Sequence, residues 1–96
     1  MLPTNRVSTH PGGLLKRLFL DEMRLTQVEF AAHTGMSVQR LNELINGKRG
    51  ITAQTAWLLS QALGTTAEFW MNAQTAYELT KNRPERKLRP IRSRAA

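Results

Sequence analysis

The amino-acid sequence predicts an all-α domain of five short helices, followed by a flexible basic tail. Three observations predict it. Serine, threonine and glycine punctuate the chain at helix-length intervals. Between those marks, apolar residues recur at helical spacing. No stretch alternates apolar with polar residues as a half-buried strand does, and there is no internal repeat and no glycine-rich phosphate loop. The folded part is expected over residues 1–82 and the tail over 83–96.

Pro11-Gly12-Gly13 opens the first helix, and Leu14, Leu15, Leu18, Phe19 and Met23 predict a single apolar stripe along it. Thr26 and Glu29 form a T-x-x-E capping box, which satisfies orphan amides at a helix start. The second helix therefore runs from Gln27 to about Thr34 and stops before Gly35, which can take the left-handed conformation of a tight turn. Ser37 is the N-cap of the third helix; Leu41, Leu44 and Ile45 form its buried face, and Asn46-Gly47 ends it. Thr52 caps a fourth, with Ala56, Leu59 and Leu63 inward and Gly64 as its stop. Thr65 or Thr66 caps a fifth, Thr65 with Glu68 offering a second capping box. That helix passes through Phe69, Trp70, Ala73, Tyr77 and Leu79.

The 96 residues make one domain and leave little room for a deep enzyme cleft. A chain this short buries only about 60–65% of its unfolded surface. It has no cysteine, which excludes a disulfide framework and a thiolate zinc site and suits a reducing cytosol. Met1 to Val7 has no signal pattern, and no apolar run approaches a membrane span. The net charge is +7, and its placement matters more than its size. From residue 81 onward Lys81, Arg83, Arg86, Lys87, Arg89, Arg92 and Arg94 stand against Glu85 alone, so residues 81–96 carry +6 and the preceding 80 residues +1. The basic balance therefore does not by itself make the folded part a nucleic-acid binder. With Pro84 and Pro90 and little apolar material, the tail cannot bury enough surface to offset its ordering entropy.

The informative stretch runs from Thr26 to Lys48. Two short capped helices meet across Gly35-Met36, with Ala31 where only a small side chain lets them approach. Phe30, Met36, Leu41 and Leu44 fall where they must pack on each other. This is a helix-turn-helix pattern, in which the second helix enters the DNA major groove by its N-terminal residues. The bland alternative is a helical hairpin with a solvated polar face, but the caps, the small residue, the turn glycine and the basic exit loop agree with one another. Ser37, Val38, Gln39, Arg40 and Glu43 are the candidate base-reading residues. Gln39 suits adenine N6 and N7, Arg40 suits guanine O6 and N7, and Val38 suits a thymine methyl; Glu43 could accept from cytosine or repel phosphate. Thr26, Gln27, Lys48 and Arg49 are candidate phosphate contacts, the first two helped by the positive end of the second helix.

The segment from Thr26 to Lys48, with its Asn46-Gly47-Lys48 exit, resembles the phage-repressor-like (XRE) helix-turn-helix family. His10-Pro11-Gly12 before it, and the run from Ala62-Leu63-Gly64 through Glu68-Phe69-Trp70 to Gln74 and Tyr77-Glu78-Leu79 after it, resemble the HigA antitoxin family. The resemblance covers residues 10 to about 80. It implies a homodimeric, cytoplasmic antitoxin that binds operator DNA, represses its own operon and neutralises a HigB-type toxin, an mRNA-cleaving ribonuclease of RelE-like fold. Ala67 stands where that family usually has proline, and Met71 and Ala73 stand where it has leucine. No family pattern extends into the tail, and the toxin-binding surface is not assigned.

Phe69 and Trp70 are adjacent, so both cannot point fully inward on one helix. Phe69, Trp70 and Tyr77 are therefore candidates for a dimer interface on a helix at about 66–81, with ordinary core packing as the alternative. His10 and His33 lie far apart, so no metal site is expected, nor any cofactor. Asp21 and Glu22 are sequential and diverge on a helix, which disfavours shared acid–base work. No catalytic arrangement stands out. The tail can be a solvated segment, a non-specific DNA arm or a toxin-contacting segment. A solitary repressor without a toxin, and a protein–protein adaptor on the same scaffold, are the rival readings.

Overall fold

The computed structural model describes Leu2 and residues 6–92; the tail end at 93–96, including Arg94, lies outside the described residues. The helices are α1 (Pro11–Leu14), continuing directly into a π-helical segment (Leu15–Leu20), α2 (Gln27–Thr34), α3 (Val38–Ile45), α4 (Ala53–Leu63) and α5 (Ala67–Lys81). Among the described residues there is no strand, and no helix is long and apolar enough to cross a membrane. Residues 83–92 carry no helix and are exposed throughout.

Local chemistry sets most boundaries. Thr26 and Glu29 make the capping box in both directions, with the Thr26 N–H donating to Glu29 Oε1 at 3.0 Å and the Glu29 N–H donating to Thr26 Oγ1 at 3.1 Å. That backbone bond, with the Thr26 side chain adding, holds the Glu29 carboxyl below its ordinary pKa. Gly35 closes α2 at φ 81°, a conformation that a Cβ would strain. Ser37 and Thr52 cap α3 and α4 through Arg40 N–H and Thr55 N–H. Beyond α3, the Gly47 and Lys48 amides return to the Leu44 and Glu43 carbonyls, a Schellman closure.

Two expectations are corrected. The first is the apolar stripe of the opening helix. The Asp21 N–H bonds to the Lys16 carbonyl, five residues back, and the Leu25 N–H likewise bonds to Leu20. This wider turn shifts the register, so Leu15 and Leu20 enter the core while Leu18 and Met23 lie more than half exposed. The second is the capping box offered at the start of α5. Of the two candidate threonines, Thr66 is the cap, accepting from the Phe69 N–H. Thr65 instead accepts from the Trp70 indole Nε1–H at 2.7 Å, so no second capping box forms.

The core is built from Leu15 and Leu20, Phe30 and Ala31 of α2, Leu41 and Leu44 of α3, Ala56 and Leu59 of α4, and Ala67 and Trp70 of α5, with Met36 from the turn before α3 and Ile51 from the loop before α4. Gln74 of α5 is buried and paired: Oε1 accepts from the Ile51 N–H at 2.7 Å and Nε2 donates to Glu78. It thereby clips the segment after α3 onto α5.

His10 joins the two ends of the domain. Its Nδ1 accepts from the Gly12 N–H at 2.9 Å, capping α1, and its ring meets the edge of Tyr77 of α5. Burial, with the nearby Lys81 charge adding, lowers its pKa from the ordinary 6.5. A lowered pKa means that the fold prefers neutral His10. Its contribution is complete above pH 6.5 and is lost as pH falls through the lower folded value. Thermal midpoints should therefore fall between pH 7.5 and pH 5 by more in wild type than in His10→Asn, which keeps a capping acceptor without a titrating ring. Equal pH dependence in the two proteins would refute this role.

Candidate nucleic-acid interface

Helix α3 has a buried side and an outward side. Leu41 and Leu44 are fully packed, while Ser37, Val38, Gln39 and Asn42 are exposed. Ser37 is spent on the cap, so Val38 and Gln39 are the side chains that project from the first turn. Val38 leaves 44% of its surface open, an apolar exposure of the kind that can pack on a thymine methyl.

The structure does not bring Arg40 beside them. Its guanidinium turns toward α4, where Nη2 donates to Thr55 Oγ1 at 2.9 Å, and its Nε is buried without a hydrogen-bond partner among the described residues. Arg40 lies one helical position past Gln39, and that rotation points it at the α4 start rather than outward. Arg40 is a tie between α3 and α4. Glu43 is also engaged, accepting from Arg49 Nη2 at 3.3 Å. That pairing removes the bare carboxylate from the α3 surface and commits part of Arg49, one of the expected phosphate contacts.

Thr26 and Gln27 flank α3 on one side. Asn42 Nδ2 donates to Gln27 Oε1 at 3.2 Å, and Asn46 Nδ2 donates to Asn42 Oδ1 at 3.1 Å. This row holds the start of α2 in register with the outer face of α3. Sequence reasoning missed Asn42, although its position three residues after Gln39 places it on the same helical face. It also missed Thr55, whose role depends on a partner fifteen residues earlier in the chain. Lys48 and Arg49 are exposed just past α3. The outward surface thus has an apolar and an amide side chain at its centre, a helix N-terminus beside it and cations at its exit.

The three expected interface aromatics separate. Trp70 has no exposed surface, packed at 5.4 Å between ring centroids from Phe19 and at 4.9 Å from Phe69. It cannot meet a second chain, because the turn that exposes Phe69 drives its neighbour inward, where Thr65 satisfies its N–H. Phe69 stays 39% exposed. Tyr77 is half-buried against His10, with Lys81 Nζ 5.4 Å from its ring centre. No group of three His, Asp or Glu side chains that could hold a metal gathers among the described residues.

A helix-turn-helix family model matches residues 15–70. The chain is 41% identical over 70 residues to virulence-associated protein I of Dichelobacter nodosus, covering 73% of this chain and 65% of that protein, so it spans just under two thirds of that relative's length. It is 40% identical over 85 residues to antitoxin HigA-1 of Vibrio cholerae, covering 86% of this chain and 80% of that one. Among solved structures, the antitoxin HigA of Pseudomonas aeruginosa, determined with the higBA promoter, superimposes with a TM-score of 0.73 at 34% identity, covering 76% of this chain and 79% of that one. The chain belongs to the helix-turn-helix family of XRE type and, within it, to the HigA antitoxins, a family of DNA-binding regulators rather than enzymes.

Proposed function

We propose that this protein is an antitoxin that binds the operator of its own operon as a homodimer and neutralises a HigB-type mRNA-cleaving toxin in the cytoplasm. The observation that carries the DNA part is the α3 surface: Val38 and Gln39 projecting from a capped first turn, between the α2 start and the Lys48–Arg49 exit. The relative solved with its promoter supports the same use of the fold. Val38 and Gln39 read bases, with Ser37 and Asn42 beside them. Arg40 acts indirectly, by fixing α3 against α4. Thr26, Gln27, Lys48 and Arg49 hold phosphates, Arg49 exchanging Glu43 for DNA. The toxin part is supported by kinship with the HigA antitoxins, and the dimer by the half-exposed Phe69 and by the two-fold geometry of paired reading heads.

Fluorescence anisotropy at near-physiological salt tests the reading. Duplex DNA from just upstream of the gene should bind at least about a thousandfold tighter than a scrambled duplex, the lower end of the usual specificity range. Gln39→Ala should cost about 1–3 kcal/mol on the native duplex and little on the scrambled one. Equal binding of both duplexes by wild type would refute a specific repressor. Co-expression with the adjacent Lys- and Arg-rich reading frame tests the toxin part. Rescue of growth supports it, and a harmless neighbour would leave a solitary repressor.

A further inference from the structure

The fold brings two distant basic segments to one cleft. Lys48, Arg49 and Gly50, at the exit of α3, line it together with Tyr77, Lys81 and Asn82 at the end of α5. His10 and Gly47 complete that side, and Glu78 is the one acidic group in the lining. Glu78 is occupied by Gln74, and Glu43, outside the cleft, by Arg49. The tail therefore leaves the folded domain beside the basic exit of the reading helix.

From there the cations continue. Residues 83–92 are exposed and non-helical, carrying Arg83, Arg86, Lys87, Arg89 and Arg92 against Glu85. Pro84 and Pro90 keep the segment from continuing the helix. Ten residues can reach about 33 Å, close to one turn of duplex, which presents a phosphate charge for about every 1.7 Å of axis. Leu88 and Ile91 are the apolar residues in it, at 77% and 97% exposure, too little to dock the segment on the domain.

We propose that the basic tail is a DNA arm. It starts at the cleft formed by Lys48, Arg49 and Lys81 and follows the phosphate backbone away from the α3 site, lengthening the footprint without reading bases. This rests on the DNA-binding function proposed above. Charge favours DNA over a protein partner, because the run is nearly all of one sign and offers almost no apolar surface for a hot spot.

The test uses the full chain with Arg86, Lys87, Arg89 and Arg92 all changed to Gln. Each phosphate contact contributes about −0.9 to the slope of log affinity against log salt. The quadruple variant should bind native duplex with a slope shallower by about 3 to 4 for each chain bound, while its preference over scrambled DNA stays at the wild-type value. Between 50 and 200 mM salt, that difference amounts to about a hundredfold in affinity per chain. Wild type should also gain affinity when the duplex is lengthened by one turn on each flank, and the variant should not. An unchanged slope overturns the arm and leaves the tail to a protein partner or to solvent. Loss of sequence preference in Gln39→Ala is the separate sign that the reading helix itself works.

Discussion

Trp70→Ala should cost about 3–5 kcal/mol, the range for deleting a fully buried large aromatic. A domain of 96 residues has a stability of about 5–14 kcal/mol, so the variant loses between about a fifth and nearly all of it. Its thermal midpoint should drop by more than about 12 °C. The reason is geometric. Trp70 fills the space between α5 and the π-helical segment, against Phe19, and its one polar atom is satisfied by Thr65 at 2.7 Å. Alanine removes the ring, leaves a cavity lined by Phe19 and Phe69, and frees a hydroxyl that has lost its donor. Urea melts at several protein concentrations check it. A core tryptophan gives the same loss at every concentration. A loss confined to dilute protein would instead mark Trp70 as an interface residue and contradict its burial.

The same residue shows where reading from sequence stops. Most helix boundaries were legible because their causes are local. A threonine or serine hydroxyl meets an amide three residues on, as at Thr26, Ser37 and Thr52, and a glycine at positive φ closes α2 and α4. The helix-turn-helix was legible for the same reason, with Ala31 and Gly35 added as steric requirements. Which of Phe69 and Trp70 turns inward was not legible, because it depends on where α5 meets Phe19 and on Thr65 being free to accept. The π-helical register was hidden too: the residues of that stretch fit an ordinary helical stripe, and the hydrogen bonds that widen the turn leave no composition mark. Arg40 shows the same limit within the site. Its sequence position suits base reading, yet Thr55 supplies a nearby acceptor that only the packing of α3 on α4 reveals.

Gly12→Ala should be severely destabilising, whereas Gly13→Ala, its immediate neighbour, should be neutral or slightly stabilising. At Gly12 an added Cβ would come within 1.7 Å of the Leu44 carbonyl oxygen, 2.6 Å of its carbon and 3.0 Å of Ile45 Cα. All three are backbone atoms, so no rotamer change relieves the clash. Either α1 or the end of α3 must move, at a cost of about 3 kcal/mol or more, the upper end for overpacking. At Gly13 the nearest atom would be Thr9 Cγ2 at 3.4 Å, an ordinary contact. There alanine gains up to about 1 kcal/mol of helix propensity. Paired denaturation curves check the contrast, and similar midpoints for the two variants would refute the close approach. The functional consequence separates this change from one on the reading surface. Leu44 and Ile45 end the helix that presents Val38 and Gln39 and lead into Lys48 and Arg49. Displacing them moves Lys48 and Arg49, the proposed phosphate contacts, relative to Val38 and Gln39, the proposed base contacts. The folded fraction of Gly12→Ala should therefore lose affinity for native and scrambled DNA together, whereas Gln39→Ala should lose it mainly for the native sequence. On the proposed function, Gly12, packed against the end of α3, sets how that helix is offered to DNA.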